Sequence, residues 1–139
     1  MLRSSSGTRV LVVEDDPSMA LLILAELGRV SCSVSLVENG LMAVRAWLSA
    51  LDEQPFDAVI MDINMPVMSG EKAVYEVRRL ERDLDEPRTP IIAFSGSEDM
   101  AKTQGWLDMG FDAVLRKPDQ LNRLTSLVGQ LAAHTRLAS

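Results

Sequence analysis

Four polar clusters in this chain each follow an apolar run, and together they hold carboxylates, a hydroxyl and an ammonium. Asp62 ends the run Ala58-Val59-Ile60-Met61 and leads into Ile63-Asn64-Met65-Pro66-Val67-Met68-Ser69-Gly70. Glu14-Asp15-Asp16 follows Val10-Leu11-Val12-Val13, Ser95 closes Pro90-Ile91-Ile92-Ala93-Phe94, and Lys117-Pro118 closes Ala113-Val114-Leu115-Arg116. Acidic groups facing one another across strand ends repel at short range. A divalent cation with hard oxygen ligands relieves that repulsion, and few carboxylates with several retained waters suit Mg²⁺. A carboxylate nucleophile, Mg²⁺, a hydroxyl and a lysine are the parts that phosphoryl transfer to an aspartate requires. The carboxylate attacks phosphorus in line, while the cationic groups and the hydroxyl neutralise charge on the phosphoryl oxygens.

Such groups need a scaffold that brings strand ends together. Strand-like runs fall near residues 9–13, 33–37, 58–61, 91–95 and 112–116, and helical patterns near 18–31, 40–52, 70–83, 98–109 and 121–134. The run before Asp62 is continuously apolar rather than alternating, which marks a strand buried on both faces. Five βα units predict an α/β fold, a parallel sheet with helices on both faces. In such sheets ligands bind beyond the carboxyl ends of the strands, where all four clusters sit. Asn39-Gly40 and Met109-Gly110 read as turns or helix ends, and Glu98-Asp99 place negative charge at a helix start. The stretch Asp83 to Thr89 reads as a charged, exposed loop.

At 139 residues and 47% hydrophobic content the chain supports one domain with a proper core. The expected organisation is a flexible lead-in over 1–8, a domain over 9–133 and a tail over 134–139. A net charge of −6 without a basic run argues against a nucleic-acid surface. A single cysteine, Cys32, excludes an internal disulfide and fits a reducing compartment. No apolar stretch is long enough to span a membrane, and the N-terminus lacks the apolar core of a signal peptide, so a cytoplasmic location is expected.

The clusters, taken in order and at these spacings, resemble the receiver domains of two-component response regulators over residues 9 to about 133. The resemblance implies a flavodoxin-like sheet of strand order 2-1-3-4-5. It implies that Asp62 is the phosphoacceptor and that Asp15 and Glu14 serve the metal, Glu14 through water. It gives the backbone carbonyl of Asn64 to the same Mg²⁺, and Ser95 and Lys117 to the phosphoryl group. The implied partner is a histidine kinase or histidine phosphotransfer protein, with small phosphodonors such as acetyl phosphate as an alternative source. Homodimerisation stays open. The chain is either a stand-alone regulator or the receiver of a longer protein, and the stretches 90–97 and 110–114 lean towards hybrid histidine kinases. One position departs from the family: Val114 stands where many receivers have Tyr or Phe, so a signal relayed by that aromatic is not available. The small-residue loop from Gly96 to Met100 is the expected substitute route.

In the first helical pattern Met19, Leu22, Ile23, Glu26, Leu27 and Val30 share one side, most of them facing the sheet. Leu21 and Leu24 point away, which suggests a docking surface for the phosphodonor protein. Asp16 reads as a helix cap, Cys32 as a core or strand-edge residue, and His134 as a surface residue. Two rivals exist. An Asp-nucleophile phosphatase of the haloacid-dehalogenase type needs an acid/base Asp where Asn64 stands. A pseudo-receiver acting only as an interaction module would not need Glu14, Asp15, Asp62, Ser95 and Lys117 together.

Overall fold

The computed structural model describes residues 7–96 and 100–138. Among them, strands β1 (Thr8–Val13), β2 (Cys32–Val37), β3 (Ala58–Asp62), β4 (Ile91–Ser95) and β5 (Ala113–Arg116) alternate with helices. These are α1 (Pro17–Leu27), α2 (Gly40–Ala50), α3 (Gly70–Leu84), α4 (Met100–Met109) and α5 (Leu124–Ala138), with a 3-10 turn at Leu121–Arg123. All strands pair in parallel, in the order β2-β1-β3-β4-β5. This is the flavodoxin-like arrangement that the resemblance implied.

The alternation of side chains along a strand divides the core in two. Leu11, Val13, Val59, Met61, Ile91 and Ala93 face α2 and α3, where they meet Trp47, Val74, Val77 and, from α4, Trp106. Val10, Val12, Ala58, Ile60, Ile92 and Phe94 face the other way, against Ile23 and Leu27 of α1 and Leu124 and Val128 of α5. Every residue of β3 and β4 is buried, as continuously apolar runs require of central strands. Each large side chain so buried contributes about 1.5–3 kcal/mol to the sandwich.

Local chemistry starts the helices. Asp16 accepts a hydrogen bond from Ser18 N (3.0 Å) and Pro17 opens α1, Asn39 accepts from Met42 N (2.9 Å), and Ser69 accepts from Lys72 N (3.2 Å). Each side-chain oxygen satisfies an amide that the first turn leaves orphaned.

Several expectations are corrected. α1 stops at Leu27, not residue 31, because beyond Gly28 the amides of Arg29 and Val30 bond three residues back, to Glu26 and Leu27. Val30, beyond the helix, is consequently exposed; within α1 the buried side is Ala20, Ile23 and Leu27, which leaves Leu22 exposed. α2 ends at Ala50, α3 runs on to Leu84, and α5 continues to Ala138. Residues 97–99, within the expected relay loop and helix start, lie outside the described residues, as do the lead-in residues 1–6 and the side chain of His134. Cys32 is half-buried at the first position of edge strand β2, its Sγ 3.6 Å from Leu27 O, and burial pushes its thiol pKa up.

The stretch expected as an exposed loop is instead tied down at its far end. Thr89 is buried, its Oγ1 accepts from Trp47 Nε1 (2.8 Å), and its amide donates to Glu81 Oε2 (2.7 Å). Arg78 organises this corner. Its Nη1 donates to Glu81 (2.9 and 3.0 Å) and to Thr89 O (2.9 Å), and its Nη2 to Asp112 Oδ2 (2.9 Å). Its Nε and Nη2 both reach Gly110 O (3.0 and 2.8 Å). Asp112 Oδ2 in turn accepts from Ile91 N (2.7 Å). Gly110 adopts a φ of 124°, and a Cβ there would press on Arg78. Removing one member of a buried, fully hydrogen-bonded charge network leaves the others unpaired. Arg78→Ala is therefore expected to destabilise the fold by about 3–5 kcal/mol in urea unfolding. The double variant Glu81→Ala with Arg78→Ala should lose less than the sum of the single losses; strict additivity would show that the two charges do not depend on each other.

Candidate functional site

The register of the sheet delivers the sequence clusters to one edge. Val13 pairs with Met61, Asp62 with Phe94, and Ser95 with Arg116. Residues 14, 62, 95 and 117 therefore stand side by side where β1, β3, β4 and β5 run out. The Lys117 amide donates to Ser95 O (2.7 Å), and the Lys117–Pro118 peptide bond is cis.

Lys117 is the cationic centre. Its Nζ lies 2.6 Å from Glu14 Oε1 and 3.2 Å from Asp62 Oδ1. Asp62 Oδ1 also accepts from the amide of Ile63 (2.8 Å), and Glu14 Oε2 accepts from the amide of Asp16 (3.1 Å). Glu14, Asp62 and Ser95 are buried, whereas Asp15 is exposed. One carboxylate oxygen from each of Glu14, Asp15 and Asp62 can be chosen so that all lie within 4.8 Å of one another. An all-oxygen, carboxylate-rich donor set is what a hard divalent cation takes, so these residues fit Mg²⁺.

Loop geometry packs the start of α3 against Asp62. Gly70 opens α3 with its amide on Ile63 O (2.8 Å), and a Cβ there would lie 2.3 Å from Asp62 O, so only glycine fits. Val67, in the same loop, holds a left-handed φ of 68° while three-quarters exposed. A β-branched residue in that region is strained, and such strain gathers at functional loops.

Asn64 is exposed and lines a cavity of about 420 Å³ together with Ile63, Glu71, Ser95, Lys102 and Trp106. Leu21 is 68% exposed, and Leu24 is half-buried rather than turned fully outward. Both line a groove of about 300 Å³ beside Glu14 and Asp15. Leu36 and Glu38, from the end of β2, complete it. Sequence reading missed these two because nothing local shows that an edge strand ends beside α1. It also missed Glu71 and Trp106, which join α3 to α4. Val114 is half-buried against the apolar cluster that contains Trp106.

The electrostatics are unbalanced, with three carboxylates around one ammonium. Burial pushes the Asp62 carboxyl up from its ordinary value of 3.8 to about 6; Lys117 opposes the rise and Glu14 adds to it. The folded state thus binds this proton more tightly than the unfolded chain does. Its contribution to stability is fully present below about pH 4 and is lost as pH rises through about 6. With solvent screening at the rim, the loss amounts to on the order of 1–2 kcal/mol by neutral pH. Asp62→Asn cannot ionise. In EDTA it is expected to melt a few degrees above the wild type at pH 7.5, the gap closing towards pH 4. Parallel melting curves across that range would contradict the assignment.

Comparison with known proteins agrees with this geometry. The family model described as "Response regulator receiver domain" matches residues 10–129. The chain is 34% identical over 125 residues to the sensor histidine kinase GacS of Pseudomonas protegens, covering 90% of the chain and 13% of that protein. It is 31% identical over 134 residues to the peroxide stress-activated histidine kinase mak1 of Schizosaccharomyces pombe, covering 95% and 8%. The chain thus spans only a small part of the length of these relatives. Among solved structures, the receiver domain of the sensor histidine kinase PA1611 from Pseudomonas aeruginosa PAO1 has a magnesium ion coordinated in its active-site cleft. It superposes with a TM-score of 0.76 at 31% identity, covering 91% of this chain and 98% of that one. The receiver domain of the histidine kinase CKI1 from Arabidopsis thaliana, complexed with Mg²⁺ and BeF₃⁻, gives 0.77 at 31% identity, covering 91% and 90%. A doubly wound sheet, a carboxylate cluster bridged by a lysine at its carboxyl edge, and a family match over most of the sequence place this chain among the response regulator receiver domains of two-component signalling.

Proposed function

We propose that Asp62 is a phosphoacceptor, phosphorylated by a histidine kinase or histidine phosphotransfer protein to switch partner interactions. The reading rests on one observation: Asp62 and Lys117 converge, at 3.2 Å, inside a cluster of three carboxylates at the sheet's carboxyl edge. An Asp62 oxygen forms the new O–P bond. The P–N bond to the donor imidazole breaks in line with it, and the imidazole leaves with the electron pair.

Each neighbour then has a task. Lys117 turns from Asp62 towards the phosphoryl oxygens, Ser95 donates its hydroxyl to one of them, and Glu14 keeps Lys117 aligned. Glu14, Asp15, Asp62 and the Asn64 backbone carbonyl would hold Mg²⁺, as the magnesium in the PA1611 receiver supports. When bound, the ion neutralises charge that develops on the phosphoryl oxygens. No helix among the described residues is long and apolar enough to cross a membrane.

Leu21, Leu24 and Leu36 give the donor protein an apolar seat next to the acceptor. The exposed acidic rim of Asp15 and Glu38 favours a basic complement.

The proposal is tested by intact mass after incubation with acetyl phosphate and Mg²⁺. One base-labile phosphoryl group is expected on the wild type and none on Asp62→Ala or in EDTA. An adduct that survives Asp62→Ala would place the acceptor elsewhere. For the docking surface, the double variant Leu21→Glu, Leu24→Glu should take phosphate from acetyl phosphate at the wild-type rate. From the phosphorylated donor protein it should be slower by about tenfold or more, as loss of an apolar anchor implies. Equal slowing with both donors would move the effect from docking to chemistry.

A further inference from the structure

The two edge strands of the sheet are finished differently. β5 is four residues long, follows Asp112, and runs out through Arg116 into Lys117-Pro118. Short length, charge and proline keep a strand edge from pairing with another chain. β2, at the other edge, has none of the three. Its six residues, Cys32-Ser33-Val34-Ser35-Leu36-Val37, carry no charge and no proline, and they pair with β1 in unbroken register.

The direction of its outer backbone groups is fixed. The Glu14 amide donates to Val37 O (3.0 Å), so Val37 turns its N–H and C=O towards β1. Alternation along the strand turns Ser35 and Ser33 the same way. Cys32, Val34 and Leu36 therefore turn their backbone groups outwards, where they meet no partner among the described residues. Two apolar side chains at this edge stand in solvent, Leu36 at 44% exposed and Val30 at 47%. Arg29, whose side chain is 73% exposed, lies just before the strand, and exposed Glu38 just after it. The edge is thus basic at one end, uncharged along its length and acidic at the other end.

We propose that β2 is an interaction surface for a second copy of this chain, the two β2 strands pairing antiparallel across a two-fold axis at Val34. Antiparallel partners exchange both hydrogen bonds only between residues whose backbone groups face each other. The register that uses all three outward residues puts Val34 opposite Val34 and Cys32 opposite Leu36, for about six bonds. In that register Ser33 faces Ser35, and hydroxyl pairs of this kind support strand pairing. Leu36 comes next to Val30 of the other copy, and Glu38 next to its Arg29. A two-fold axis makes a surface meet itself reversed, so the charged ends complement each other by symmetry alone. That reversal selects a second copy over an unrelated strand, which would satisfy the backbone without matching both ends. The dimer shares Leu36 and Glu38 with the groove assigned to the phosphodonor protein, so the two partners compete for this edge.

The register is tested by a crosslink in the intact chain. Cα atoms of a hydrogen-bonded antiparallel pair lie about 5.5 Å apart, within disulfide reach. In Leu36→Cys, mild oxidation should join Cys32 of one copy to the introduced thiol of the other, a dimer that peptide mass mapping locates. Within one copy the two positions are about 13 Å apart along the strand and cannot join. Like positions are about as far apart across the seam, so the wild type and Leu36→Cys with Cys32→Ser should not crosslink. Sedimentation equilibrium without oxidant tests the association itself. The wild type should pass from monomer to dimer as concentration rises. Glu38→Arg and Arg29→Glu should each weaken the dimer by about tenfold, because every substitution acts twice across the axis, and the double variant should recover it. A monomer mass at every concentration overturns the proposal. A dimer that neither charge variant weakens, or that Leu36→Cys does not crosslink to Cys32, has its contact elsewhere and overturns it as well.

Discussion

Everything at the carboxyl edge of the sheet follows from one electrostatic constraint: three carboxylates gathered around one ammonium. Glu14 and Asp62 are buried, and Lys117 bridges them. One lysine cannot neutralise Glu14, Asp15 and Asp62 together, so the pocket has an unmet demand for positive charge. Burial raises the proton affinity of Asp62, with Lys117 opposing the rise and Glu14 adding to it, and the carboxylates make an oxygen-lined cation seat. The same gathering also places a lysine next to a carboxylate that an incoming phosphoryl group would approach. A fold selected for stability alone would not bring these side chains together.

The opposite edge of the sheet shows the contrast. There Arg78 spends its donors on Glu81, Asp112, Thr89 and Gly110, and Glu81 and Asp112 accept from backbone amides as well. Charges are paired and the hydrogen bonds interlock α3, β4 and β5. The rigidity of that edge and of the two apolar layers holds strand ends in register while the acidic edge stays under-compensated. Val67, strained and exposed in the loop after Asp62, belongs to the same economy of local instability at a functional loop.

Two features extend outwards from this edge. The groove beside α1 is apolar at its floor and acidic at its rim, adjacent to Glu14 and Asp15. The bond between Trp106 and Glu71 joins α4 to the first turn of α3, next to a cavity that also touches Ser95. Surface and interior contacts thus meet the acidic pocket from two sides.

The sequence by itself determined the order and type of the elements and the candidate site residues. Apolar runs of strand length, the cap Asp16, and the breaks at Pro66 and Gly70 are local signals, because helix starts and buried strands are set by residues a few positions apart. Asp62, Glu14, Asp15, Ser95 and Lys117 were legible for the same reason, each standing where a run ends. Tertiary structure alone decided which of them touch: Lys117 on Glu14 and Asp62, with Asp15 left exposed. It also decided that Thr89 is buried under Trp47, that Leu22 and Val30 face solvent, that Leu36 and Glu38 share a groove with Leu21, and that Trp106 reaches Glu71. These contacts join residues far apart in the chain. They depend on strand order, register and the exact end of each helix, which packing of the whole core fixes and no local pattern encodes.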